Sequence, residues 1–134
     1  MSYGQGCRGI NFVQPTYRTL QLPSPGVNWT HRLENAAAQQ FCMLVLGFTQ
    51  TLTDCTPING GFGCFILASP DIFAVTTTIG GPGASTADVI IPVPPLTTFI
   101  GVGAFSQFLV LDPGAANGVM SATSGIHSIC SSGL

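Results

Sequence analysis

Apolar and polar positions alternate along this chain in short runs, and the runs read as strands. In residues 105–111, Phe105, Gln107, Leu109 and Leu111 fall on one side of an extended chain, and Ser106, Phe108 and Val110 on the other. Both sides are largely apolar, so this strand has to be covered twice. It is either central in a sheet or half-buried with its outer face kept for another subunit, which makes Phe105, Phe108 and Val110 the candidate self-association strand. Asp112-Pro113-Gly114 ends it, Asn117-Gly118 supplies two residues that accept positive φ, and residues 119–126 can return antiparallel as a hairpin.

The rest of the chain supplies partners. Residues 12–22 form a strand candidate with Pro15 marking an edge or a bend, and Pro23-Ser24-Pro25-Gly26 closes it. Residues 27–33 alternate well: Val27, Trp29, His31 and Leu33 face one way, Asn28, Thr30 and Arg32 the other. The alanines at 36–38 are too few for an independent helix, so a turn is expected there. Residues 41–51 are the most apolar run and a core partner for 105–111. Residues 63–68 and 72–78 flank the turn Ser69-Pro70-Asp71, and residues 86–93 and 99–102 surround Pro94-Pro95. Short strands, dense turn chemistry and almost no helical period predict an all-β fold. The expectation is a single antiparallel β-sandwich, Ig-like or jelly-roll-like, of about seven to nine short strands. It fills residues 1–134 as one domain, with a glycine-rich lead-in over residues 1–10 that stays flexible unless Cys7 or a sheet edge ties it down.

Charge changes the picture most. Charged residues are 6% of the 134, and the only fixed cations are Arg8, Arg18 and Arg32. A phosphate-tracking surface needs several clustered cations, so nucleic acid is not a partner. A net charge of −2 provides little repulsion between copies, which favours ordered self-association. No apolar run is long enough for a membrane helix, which needs about 20 residues, so no transmembrane segment is expected. Met1-Ser2-Tyr3-Gly4 has neither the basic start nor the apolar middle of a signal peptide. Export would then require a start upstream or another route.

Five cysteines, Cys7, Cys42, Cys55, Cys64 and Cys130, are many for a cytosolic chain and ordinary for an exported one. The odd number leaves at least one thiol unpaired or linked between molecules. Cys55 and Cys64 flank a short loop and form the candidate disulfide, although spacing alone does not settle the pairing.

Several short segments carry a resemblance: Tyr-Gly-x-Gly-Cys at 3–7, Leu-x-Asn-Ala before an apolar strand at 33–47, and Gly-Cys-x-x-Leu with Ser-Pro-Asp at 63–71. Gly-Ala-Ser before an Ile-Pro strand at 83–92, and Gln-Phe-x-Val-x-Asp-Pro-Gly-Ala with a Ser-Gly close at 107–125, continue it. The sequence resembles the carboxy-terminal β-sandwich domains of large secreted and cell-surface proteins of planctomycete-type bacteria. The resemblance implies export, an all-β fold and no catalytic residues. The chain departs from it in lacking the long upstream region and in carrying Cys42 and Cys130.

Candidate chemistry is sparse. The nucleophile-elbow pattern is absent, and no local pattern pairs His31 or His127 with an acid or a nucleophile. Glu34, Asp54, Asp71, Asp88 and Asp112 mostly sit at turns or loop edges, where aspartate caps the backbone. His127-Ser128-Ile129-Cys130 lacks the second half of a zinc site, and Asp112 with Asn117 lacks the acidic neighbours of a calcium site. The glycines at 80–83 lack the lysine of a phosphate loop. Asn28-Trp29-Thr30 matches a glycosylation sequon. No catalytic residue, metal or cofactor is expected.

Two functions fit. The leading one is a non-catalytic, exported structural module, extracellular or at the cell surface, that associates with copies of itself into a filament, a surface layer or another assembly. Cell-surface components are further partners. The alternative is a carbohydrate- or surface-ligand-binding module that uses Trp29 and Tyr17 as a stacking platform.

Overall fold

The computed structural model describes residues 1–55, 63–115 and 117–131. Eleven antiparallel strands run in chain order: β1 (Ser2–Tyr3), β2 (Thr16–Thr19), β3 (Asn28–Ala36), β4 (Phe41–Gly47), β5 (Gln50–Asp54), β6 (Phe65–Ala68), β7 (Ile72–Thr77), β8 (Ser85–Pro92), β9 (Gly103–Leu111), β10 (Met120–Ala122) and β11 (Gly125–Ile129). This is the expected β-sandwich with more strands than the hydrophobic pattern indicated. The extra ones are the very short β1 and β10, and the division of the 41–51 run into β4 and β5. Gly47 ends β4 at that division, where a Cβ would collide with the backbone carbonyl of Ser69.

A six-stranded sheet of order β1-β11-β9-β4-β7, with β10 also paired to β9, packs on a three-stranded sheet of order β2-β3-β8. Leu33, Ala87 and Val89 of the smaller sheet meet Cys42, Leu44, Phe108 and Val110 of the larger one in the main core. The opposite face of the large sheet is covered in part by the two-stranded β5-β6 pair, with Val45, Leu109, Met120 and Ala122 packed against Cys55, Cys64 and Ala68. This third layer explains the two apolar faces of β9: both are covered by the chain itself.

The hairpin after β9 forms, with the positive φ at Gly118 and Asn117 serving through its side chain instead. The Asp112 carboxylate accepts from Gly114 N at 3.0 Å and Ile10 N at 2.7 Å, while Asn117 Oδ1 accepts from Val119 N and Met120 N, both at 2.9 Å. Gly118 takes the positive φ, +75°. The pairing with β9 slips by one residue between Ala122, opposite Leu109, and Ile126, opposite Ser106. Thr123 fills this bulge, its hydroxyl accepting from Phe108 N at 3.1 Å. The lead-in is held at both points the sequence offered: β1 pairs with β11, and Cys7 bridges to Ala122.

Two expected strands differ. The 12–22 candidate contracts to β2. Residues 99–102 are not a strand: Thr97–Phe99 is a 3-10 turn, and Gly101 sits at φ +87°. Pro94 and Pro95 just upstream have no N–H to give a ladder, so this segment follows β8 as a loop.

Candidate interaction surface

The six strands of the large sheet contain no Asp, Glu, Lys or Arg. Charge is confined to the smaller sheet, the β5-β6 pair and the loops. On the smaller sheet Arg32 grips Asp88 with two bonds of 2.8 and 2.9 Å, and Arg18 meets Glu34 at 2.5 Å. The hydrogen bond from Arg32 holds the Asp88 carboxyl below its ordinary range.

Strands β5 and β6 are too short to cover the whole outer face of the large sheet. Beyond them lies an apolar trough of about 540 Å3, lined by residues including Phe41, Met43, Phe73, Val75, Leu109 and Leu111. Phe41 is 63% exposed, Phe73 55% and Val75 64%. These side chains point outward because of register. Met43 lies opposite Val75 and Val45 opposite Phe73, so the outward residues of β4 and β7 share the face that β5-β6 leaves bare.

Strand β7 also closes the sheet, since β4 is its only strand partner among the described residues. Thr78 N donates to Gln40 O at 2.9 Å, which turns the backbone groups of Thr78, Thr76, Ala74 and Ile72 toward β4. Alternation then points those of Phe73, Val75 and Thr77 away from it. At Ile79 the outward edge is taken by Thr86, in a reciprocal pair of 2.9 Å bonds that turns the chain into the smaller sheet. Before that corner no strand among the described residues pairs with the edge.

The sequence-derived site residues lie elsewhere. Phe108 and Val110 are buried in the main core and Phe105 is half-buried, stacked on His127 with ring centroids 4.4 Å apart. They are not available to another subunit, because β4, β10 and β11 flank β9 and a layer covers each of its faces. Trp29 is 3% exposed, and the Tyr17 hydroxyl points inward to His31 Nδ1 and to Ser106 Oγ at 2.7 Å. The two rings form no stacking platform, since both lie on the inner faces of their strands. Cys64 is bonded to Cys7 rather than to Cys55. Cys42, Cys55 and Cys130 are buried free thiols, and the loop at 56–62 lies outside the described residues. The outward face of β7 carried no distinguishing signal, because an exposed Phe-x-Val alternation reads like a buried one.

Most buried polar groups are tied to the scaffold, but Trp29 Nε1, His31 Nε2 and Ser121 Oγ are buried without a hydrogen-bond partner among the described residues. Burial lowers the His31 pKa from 6.5 to about 3, which keeps the imidazole neutral beside Tyr17, Ser106 and Trp29. Burial likewise raises the Cys42 thiol to about 11. A second cleft of about 340 Å3 lies at the edge of the main core, lined mainly by apolar side chains such as Trp29, Leu46, Phe48, Ile91, Phe99 and Val102. Among the described residues no three His, Cys, Asp or Glu side chains gather in a way that could hold a metal ion. No helix among them is long and apolar enough to cross a membrane.

No family model matches the chain, and none of the curated proteins or solved structures compared with it is similar.

Proposed function

We propose that this protein is a non-catalytic, exported structural module that associates with copies of itself into a filament, surface layer or other extracellular assembly. The observation that carries this reading is the charge-free six-stranded sheet, with an open edge at β7 and an apolar trough beside it. Contiguous exposed apolar surface of this kind is expensive to leave in water and marks an interaction site. The Cys7–Cys64 disulfide supports an oxidising compartment.

Sedimentation velocity over a hundredfold concentration range, followed by electron microscopy of the concentrated material, tests the reading. Oligomers that grow with concentration are expected. A protein that stays monomeric throughout overturns it.

A further inference from the structure

We infer that two copies of this chain join edge to edge through β7, antiparallel about a two-fold axis at Ala74, so that Phe73 of one copy lies opposite Val75 of the other. This deepens the self-association reading and rests on it.

The choice of β7 follows from comparing the edges. Proteins guard exposed edges with charges, prolines, bulges or very short strands. The opposite edge of the large sheet, β1, has only two residues. The smaller sheet has the Arg18–Glu34 pair beside its β2 edge, and Asp88 and a terminal Pro92 on its β8 edge. Strand β5 carries Asp54 and a register shift between Gln50 and Thr53. Strand β7, Ile-Phe-Ala-Val-Thr-Thr, has none of these devices. The one neighbouring charge, Asp71, is occupied by Phe48 N at 3.1 Å and Ser69 Oγ at 2.8 Å.

A second copy fits this edge because the strand complements itself. An uncharged edge offers nothing to a charged peptide, and its outward N–H and C=O groups call for another extended backbone. Residues directly opposite each other in an antiparallel pair point to the same face. A two-fold axis perpendicular to the sheet preserves faces, so it must pass through a residue and not between two. Placed at Ala74, it sets Phe73 against Val75, an aromatic against a β-branched side chain, on the exposed face. The outward backbone groups of Phe73 and Val75 then bond reciprocally, and the two troughs become neighbours on one continuous sheet.

Area limits the strength of the contact. With about 150–250 Å2 on an aromatic side chain and less on an aliphatic one, the exposed parts of Ile72, Phe73 and Val75 come to roughly 300 Å2 per copy. A standard interface takes roughly 800 Å2 per partner. The dimer is therefore weak and forms as concentration rises.

The register makes a sharp test. Ala74 and its symmetry mate form a non-hydrogen-bonded pair with Cα atoms about 4.5 Å apart, within disulfide range. Ala74→Cys, mildly oxidised at high protein concentration, is expected to give a reducible covalent dimer, whereas Val75→Cys and the oxidised wild type stay uncrosslinked. Val75→Lys places a charge on the edge at an exposed position. It is expected to keep the fold, read by circular dichroism, and to require at least tenfold more protein for association. If the wild type associates while Ala74→Cys does not crosslink and Val75→Lys associates normally, this interface is wrong and the broader reading stands. A wild type that never associates removes both.

Discussion

Cys55 lies directly across the β5-β6 pair from Cys64, its amide donating to the Cys64 carbonyl at 3.0 Å, while the sulfur of Cys64 is bonded to Cys7. Two cysteines thus sit beside one sulfur, and the one farther away in sequence holds it. The Cys7 bond spans a separation of 57 residues and ties the lead-in to the β5-β6 layer. A loop of that length removes about 4 kcal/mol of unfolded-state entropy, against about 3 kcal/mol for the short loop that a Cys55–Cys64 bond would close.

Cys7→Ser is therefore expected to lower the melting temperature and, under oxidising refolding, to yield the Cys55–Cys64 bond in place of the native one. Peptide mapping of the unreduced protein reads the pairing directly. A variant that keeps Cys55 and Cys64 both free would mean that the cross-strand pair cannot close.

Burial of His31 makes stability depend on pH in a stated direction. Its folded pKa is depressed from 6.5 to about 3, so between those values the unfolded chain holds a proton that the folded chain does not. The contribution is complete above about pH 6.5 and is lost as pH falls toward 3, on the order of 5 kcal/mol over the whole span. Denaturant melts at half-unit steps should show this slope. His31→Gln, which keeps a side-chain partner for the Tyr17 hydroxyl, should flatten it between pH 6 and 4 by removing the titrating group, while the slope from Asp88, whose pKa is lowered from 3.8, remains below about pH 4.

Gln107 is the polar rivet between the large sheet and its third layer. Fully buried on β9, its Nε2 donates to Phe65 O at 3.0 Å and Thr123 O at 2.9 Å, and its Oε1 accepts from Leu67 N at 3.0 Å. Gln107→Leu has similar bulk but leaves these three backbone groups without that partner, at a cost of about 3 kcal/mol or more. Amide exchange should accelerate first in β6, with Leu44 and Phe108 in the main core still protected. Uniform loss of protection across both cores would show that the third layer does not open separately.

Gln107 also shows where sequence reading reached and where it stopped. The period of two placed it correctly on the same side as Phe105 and Leu109. A glutamine in an apolar row can face water, another subunit or a buried backbone edge, and only the third layer selects the last. The alternation of Trp29, His31 and Leu33 and the turn at Asp112 to Gly118 were legible because their causes are local. The order of strands in a sheet is not local. Nothing within residues 72–77 reveals that β7 is an edge while β9, of similar pattern, is central, so the pattern alone points to Phe105, Phe108 and Val110 as the exposed face. The Cys7 pairing was hidden for the same reason, since it depends on docking the lead-in against the far end of the fold.

Salt separates the two ways in which a weakly charged protein can associate. Contacts driven by opposite charges weaken as ionic strength shortens the Debye length from about 30 Å at 0.01 M to about 3 Å at 1 M. The large sheet offers no fixed charge in its strands, and the pairs Arg18–Glu34 and Arg32–Asp88 lie on the other sheet. Association through β7 and its trough should therefore survive 0.5 M sodium chloride unchanged and strengthen in ammonium sulfate, which favours apolar burial. Sedimentation equilibrium at matched protein concentrations measures both arms. Dissociation by sodium chloride alone would place the contact on the charged smaller sheet, and Val75→Lys would then leave it intact.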